Sequence, residues 1–191
     1  MTRADCLEVL NRAADTRQEE SDTVLEALLQ LEKLARKDSP EETTQMQQDL
    51  GGSWRLIFTT GTATTQQKYG KINYFPIKAV QAFNPNEMTI ANGIYAGDFC
   101  LVRFNGTYTF DEKKRRLEFG FDQLVLLQFI ELQLGAGDAE KMGSASGLGS
   151  DNNVKRAKEN KKAFFNWISA DATIATARGG GGGLALWKRV E

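Results

Sequence analysis

The sequence predicts an α+β fold, with N-terminal helices followed by an antiparallel β-barrel of about eight strands. Three observations carry this. Up to Lys37 the apolar residues recur at three- and four-residue spacing, whereas from Ser53 they alternate with period two. The alternating runs are mostly joined by short turns, with no internal repeat. Gly52 and Trp54 open the first run, and Arg178 and Arg189 stand in the last two. Strand counting alone fits a β-sandwich as well as a barrel, and the terminal residues favour the barrel.

Residues 1–49 read as a helical segment and 50–191 as the barrel. From Ala4 to Arg17, Leu7, Leu10, Ala13 and Ala14 make one apolar stripe. A second helix, capped by Ser21 or Asp22, repeats the pattern with Val24, Leu25, Leu28, Leu31, Leu34 and Ala35, and Pro40 stops it. Glu41 to Asp49 reads as a connector or a last short helix.

Trp54, Leu56 and Phe58 alternate with Arg55 and Thr59 in the first strand. Ile77–Phe83 and Glu87–Ile94 follow, separated by the turn signal Asn84-Pro85-Asn86. Phe99 to Phe110 places Cys100, Val102, Phe104, Tyr108 and Phe110 on one parity. Gly106 on that parity predicts a bulge or sharp bend, with a hairpin turn at Asn105-Gly106 as the alternative. After the charged turn Asp111–Arg115, Leu117, Phe119 and Phe121 share one face, and Leu124–Leu134 continues as a further run. Gly135 to Asn153, rich in Gly, Ser and Asn, reads as a long mobile loop. Phe164–Ser169, Ala172–Arg178 and Leu184–Val190 supply three closing strands.

Composition narrows the function. The 191 residues, 41% of them hydrophobic and eleven of them Phe, suffice for a substantial core. With no histidine, Ser-His-Asp and Cys-His catalysis and imidazole metal ligation are excluded. Two cysteines, Cys6 and Cys100, form neither a zinc cluster nor a disulfide framework, and a reducing compartment is expected. Cys100 reads as a small buried apolar residue. No cofactor is implied.

No signal peptide or transmembrane helix is visible, and the apolar run Leu124–Ile130 is short and broken by Gln128. Membrane contact is therefore expected to be peripheral. An organelle-targeting peptide preceding Met1 is compatible with the helix-like start. The net charge of −1 is uneven, since residues 1–50 carry six basic and twelve acidic side chains. This fits a solvated helix pair, or an acidic appendage beside a domain that meets anionic surfaces.

Gly52 lets the chain enter a crowded barrel end, which the Trp54 indole plugs. A guanidinium stacked on that ring closes the barrel, with Arg178 the first candidate and Arg189 the second. Lys155, Arg156, Lys158, Lys161 and Lys162 lie just before Phe164, Phe165 and Trp167. This basic-aromatic pattern fits an anionic membrane surface, a solvated loop with inward aromatics, or, least well, single-stranded nucleic acid. The glycines at 179–183 precede a strand rather than a helix and lack Gly-Lys-Ser/Thr, so they read as a hairpin loop and not a phosphate cradle. The adjacent acidic pairs Glu41-Glu42 and Asp111-Glu112 sit in turns, where nothing places a general acid or base. Asn105-Gly-Thr107 matches a glycosylation acceptor by chance.

The run Leu50-x-Gly52-x-Trp54-Arg-Leu-Ile-Phe-Thr-Thr60, with Asp171-Ala-Thr-Ile-Ala-Thr-Ala-Arg-Gly179 and Leu184-Ala-Leu-Trp187, resembles the plastid-lipid-associated protein family, the fibrillins. The resemblance covers residues 50–190 and is anchored at both ends. It implies a lipocalin-like barrel, a plastid setting at thylakoids or lipid globules (plastoglobules), and binding of fatty acids, prenylquinones, carotenoids or other apolar molecules. The plain Gly179–Gly183 run and the long segment Gly135–Lys162 depart from the family pattern.

Non-catalytic lipid binding is thus expected, with Trp54, Phe58, Phe104, Tyr108, Phe119, Phe121 and Trp167 lining the site. Arg178 closes the barrel or meets a headgroup. The alternative is a filled barrel that coats membranes through Lys155, Arg156, Lys158, Lys161 and Lys162. A third is a small enzyme on an apolar substrate, which would have to rely on Tyr, Asp, Glu, Lys or Cys. The expected partners are an apolar small molecule and a lipid surface, with no metal and no nucleic acid.

Overall fold

The computed structural model describes residues 1–61, 73–146, 151–159 and 161–190, with side chains of 143–146 and 151–152 left aside. Three helices lead. Helix α1 (Arg3–Thr16) begins with a capping box in which Thr2 and Asp5 satisfy each other's backbone amides. Helix α2 (Ser21–Ala35) has Glu20 at its N-cap with no side-chain cap bond, so neither Ser21 nor Asp22 caps it. Helix α3 (Pro40–Asp49) settles the Glu41–Asp49 question: Ser39 and Glu42 form a second capping box, and Pro40 occupies the first turn. Pro40 therefore starts a helix as well as ending one.

The strands are β1 (Gly52–Thr59), β2 (Lys78–Asn84), β3 (Thr89–Ala96), β4 (Phe99–Asp111), β5 (Arg116–Leu126) and β6 (Ile130–Gln133). Two helices, α4 (Asp138–Ser146) and α5 (Asp151–Lys158), precede β7 (Ala163–Ala170), β8 (Ile174–Gly179) and β9 (Leu184–Val190). All pairings are antiparallel, and β1-β2-β3-β4-β5-β7-β8-β9 closes back onto β1. The fold is an eight-stranded barrel preceded by helices, and β6 is a side strand.

Strand β5 divides its second edge. Arg116–Phe119 pair with Ala163–Asn166 of β7, whereas Gln123–Leu126 pair with β6. The β1–β2 seam is equally short, joining Gly52–Arg55 to Val80–Phe83 in four pairs. Beyond it, residues 73–75 take over beside β1, where Thr59 N–H donates to the Asn73 carbonyl and Phe75 N–H to that of Ile57.

Two expectations need correction. Leu124–Leu134 is not one run: Leu127 (φ 48°) and Gln128 (φ 68°) form a tight turn that sends β6 back along β5. The predicted mobile loop contains α4 and the first three residues of α5. Asp138 fixes the start of α4 by accepting from Gly135 N–H at 3.0 Å, so a local carboxylate overrides the Gly-rich composition. Gly106 is a bend and not a hairpin, because β4 runs through it with a register shift at Asn105/Gly106. A β-carbon there would lie 1.9 Å from the Gly120 carbonyl oxygen, so only glycine lets the strands approach.

Two apolar cores result. Cys6, Leu10, Val24, Leu28 and Leu31 from α1 and α2 bury against Ile57, Phe58, Ile168, Ile174 and Leu186 on the barrel's outer wall. Each fully buried Leu or Ile contributes about 1.5–3 kcal/mol before entropy is counted. The second core fills the interior with Trp54, Phe83, Ile90, Tyr108, Leu117, Phe119, Trp167 and Trp187, and α3 caps its lower end with Met46 and Leu50.

Arginines lock these layers together. Arg115, at the β4–β5 turn, donates to the Ala35 carbonyl (2.9 Å), Asp38 (2.6 Å) and the Ile168 carbonyl (2.6 Å), tying the end of α2 to the barrel. Arg17 reaches the Ile57 and Phe75 carbonyls from the α1–α2 turn. Both cysteines are buried and unpaired, and burial pushes the Cys6 thiol up.

Candidate functional site

The barrel interior is the candidate site, built mainly by the parity of its strands. Trp54 on β1, Phe83 on β2, Phe104 and Tyr108 on β4, Phe119 and Phe121 on β5, Phe165 and Trp167 on β7, and Trp187 on β9 face one another. Apart from that of Trp54, their rings form a continuous network. Phe83 meets Tyr108 (5.9 Å) and Trp167 (5.6 Å) edge-on, Phe119 stacks on Phe165 (5.1 Å), and Trp167 lies 5.3 Å from Trp187. Phe104 and Phe121, 5.7 Å apart, are half-buried further up the wall. Burial pushes the Tyr108 phenol up.

The lower end is sealed. Trp54 donates its indole N–H to the Leu50 carbonyl at 2.8 Å, joining β1 to the end of α3. Arg189 lies over the Trp54 ring at 4.1 Å and donates to the carbonyls of Gly51 (2.6 Å), Asp49 (2.5 Å) and Ala172 (2.9 Å). The closing guanidinium is therefore Arg189, which sits directly across from Trp54 on β9. Arg178 does not close the barrel. Its guanidinium reaches outward to Glu32 of α2 at 2.6 and 2.7 Å, and this bidentate contact holds the Glu32 carboxyl below its ordinary value.

Phe58 also departs from expectation. The β1–β9 register shifts between Leu56 and Phe58, so Ile57 is an extra residue. The bulge reverses parity, and Phe58 packs among the helices with Leu10 and Leu28 instead of facing the interior with Trp54. Six of the seven expected lining residues thus share the interior: Trp54, Phe104, Tyr108, Phe119, Phe121 and Trp167. Phe83, Phe165 and Trp187 were missed, although Phe165 shares parity with Trp167 and Trp187 with Arg189.

Three buried polar atoms of the interior wall have no hydrogen-bond partner: Gln81 Oε1, Asn92 Oδ1 and Trp167 Nε1. Gln81 and Asn92 are cross-strand neighbours on β2 and β3, and Gln81 lies two residues from Phe83, whose ring touches Trp167. An unpartnered buried polar atom costs roughly 1–3 kcal/mol, so each is open to a hydrogen-bonding guest. Among the described interior residues there is no carboxylate and no lysine, and Arg189 is committed to the end seal.

The basic segment divides. Arg156 lies over the Phe164 ring at 4.6 Å, opposite Arg116 at 4.2 Å, and donates to the Lys162 carbonyl. It is structural packing and no free surface cation. Lys155, Lys158, Lys161 and Lys162 are exposed, and Lys161 pairs with Glu159 at 2.8 Å. Among the described residues no group of acidic or cysteine side chains is arranged to hold a metal, and no helix is long and apolar enough to cross a membrane.

Solved structures with a similar fold include a lipocalin-like protein from Bacteroides uniformis (TM-score 0.44, 11% identity, covering 74% of this chain and 99% of that one). An uncharacterised protein from Bacteroides eggerthii is comparable (TM-score 0.45, 9% identity, 73% and 98% covered). A protein described as the REP1-NXSQ fatty acid transporter is more distant (TM-score 0.32, 8% identity, 75% and 98% covered). Likenesses this remote carry no argument about function. No curated relative matches the sequence. The PAP_fibrillin profile, however, matches residues 3–186, from the first turn of α1 to the last strand. With its helices and barrel both inside that match, the chain belongs to the PAP_fibrillin family.

Proposed function

We propose that the protein binds an apolar small molecule non-catalytically within the barrel, with the aromatic wall taking its hydrocarbon, the Trp167 indole N–H donating to a polar oxygen, and the Gln81 and Asn92 amide oxygens accepting from a hydroxyl. The observation that carries this reading is the set of three unpartnered polar atoms on an otherwise apolar, uncharged wall. A buried indole N–H suits a carbonyl or hydroxyl acceptor, and the two amide oxygens suit an O–H donor. With no cation free among the described wall residues, a carboxylate head there would be desolvated without compensation. A neutral hydroxyl-bearing lipid, such as a hydroxylated carotenoid or a prenylquinol, fits better than a fatty acid lying fully inside. Family membership supports a plastid location at thylakoid membranes or lipid globules. The exposed Lys155, Lys158, Lys161 and Lys162 support a peripheral contact with an anionic lipid surface.

The second reading is a filled barrel acting as a coat for lipid globules. The mutual packing of Phe83, Tyr108, Trp167 and Trp187 favours it. Organic extraction of purified protein, with mass spectrometry of what is released, separates the two. A stoichiometric neutral lipid supports the carrier. An empty extract, together with no uptake of a fluorescent prenylquinone or fatty-acid analogue, overturns it in favour of the coat.

A further inference from the structure

Strand order gives the barrel two unlike ends. The Trp54–Arg189 seal and α3 lie at one. At the other lie the β3–β4 turn, the β5–β6 turn and the start of β7. We infer that the β5–β6 ribbon, backed by the start of β4, is the element that enters a lipid surface, with the lysines preceding β7 resting on anionic headgroups. The inference deepens the lipid-surface part of the function proposed above and is independent of what the interior holds.

At the apex of the ribbon, Phe129 is 78% exposed and Leu127 51%. Ile130 and Leu132 of β6 are exposed beside them. Phe99 adds its ring 6.4 Å from that of Phe129, and Leu127 N–H donates to the Leu101 carbonyl at 2.9 Å, so the two turns form one apolar tip. An exposed cluster of this kind is rare on a surface without a partner.

The turn itself is unusual. Leu127 and Gln128 both adopt positive φ, where a two-residue hairpin favours Asn-Gly or Gly. The leucine held left-handed there leaves half of its surface exposed at the tip.

The tip is the end of a narrow hairpin, with its apolar side chains spread over Phe99, Leu127, Phe129, Ile130 and Leu132. A fluid lipid interface accepts such a cluster without a complementary groove. The charges agree. Lys155, Lys158, Lys161 and Lys162 are exposed around the start of β7, on the same end of the barrel. Asp98, at the β3–β4 turn, is paired with Lys78 at 3.0 Å, and Glu131, held by Gln123, marks the depth at which the tip meets the headgroups. Docked this way, the barrel turns the end opposite the Trp54–Arg189 seal toward the lipid.

The test is flotation of the full chain with phosphatidylcholine vesicles, with and without phosphatidylglycerol. Phe129→Asp should lower vesicle partitioning by about tenfold or more, with an unchanged thermal melt. Phe129→Trp should retain binding, and its fluorescence should be quenched by brominated acyl chains. The native Trp54, Trp167 and Trp187 are all buried, so the added signal reports position 129. Wild-type flotation matched by Phe129→Asp, or an unquenched Trp at 129, overturns the proposal. If Lys161→Gln with Lys162→Gln alone abolishes binding, the basic-surface reading stands and the ribbon does not. Failure of the wild type to bind either vesicle removes both, while the extraction result remains valid. A concentration-dependent dimer that Phe129→Asp dissolves would make the tip an interface between copies and overturn the lipid assignment.

Discussion

The Arg189 guanidinium lies 4.1 Å from the centre of the Trp54 indole, on the strand directly beside it, and spends its remaining N–H groups on backbone carbonyls at the sealed end. One side chain thus joins β9, β1, the α3 terminus and the β7–β8 turn.

Arg189→Ala should therefore cost more than a surface arginine, roughly 2–3 kcal/mol from the lost ring contact and the stranded carbonyls. Arg189→Lys should recover little, since an ammonium cannot stack and fork at once. Urea unfolding measures both, and a loss under about 0.5 kcal/mol, the range of ordinary surface substitutions, would show that the seal is decorative.

Glu32 and Arg178 make a pH-dependent strap between α2 and β8. Glu32 is depressed by its hydrogen bonds to Arg178. Its contribution is complete above the unfolded-state value of about 4.3 and is lost as pH falls through the lower folded-state value. Glu32→Gln should flatten the acid limb of stability against pH while leaving the neutral-to-alkaline limb unchanged. An identical acid limb in wild type and variant would rule the strap out as a contributor.

Gly106→Ala should be among the most damaging single-methyl additions. The new carbon meets the Gly120 carbonyl and the Phe121 Cα, both backbone, so β4 and β5 must part. A loss of about 2–4 kcal/mol is expected from such overpacking. Gly120→Ala, with open space at its β-carbon, is the matched control and should change little.

Gln81→Leu removes an unpartnered polar group from the interior. It should leave the ligand-free protein unchanged or up to about 1 kcal/mol more stable, because the buried atom it deletes is unsatisfied. The same change should weaken a neutral, hydroxyl-bearing lipid by roughly three- to tenfold. Calorimetry or fluorescence titration reads the second effect. Weaker binding together with a less stable apo protein would mean the glutamine serves the fold and not the guest.

Much of this architecture is legible in the chain, and the parts that are not have a common cause. The helical stripes of α1 and α2 and the strand parity of Tyr108, Phe119 and Trp167 follow from local periodicity. Phe58 fails because a bulge at Ile57 reverses the count, and a second register shift between Trp167 and Ser169 turns Ser169 outward with Ile168. Alternation counted along one strand does not encode the extra residue at either bulge, which shows only in the pairing with the neighbouring strand. Arg178 and Arg189 are equivalent by composition. Strand register alone decides that one faces α2 and the other the Trp54 ring. The Leu127–Gln128 turn escapes notice because neither residue is a turn former.

The two four-pair seams divide the wall into halves of unlike character. Strands β7, β8, β9 and β1 are backed by α1, α2, α3 and α5, whereas on the β2-to-β5 meander the described helices put only the short α4, against β5. Such a barrel breathes as a clamshell, the meander half swinging on its stitches while the helix-backed half holds still. Its amides should exchange with solvent as two cooperative blocks with their border along those seams, which would make a side-door to the interior available without unfolding either half.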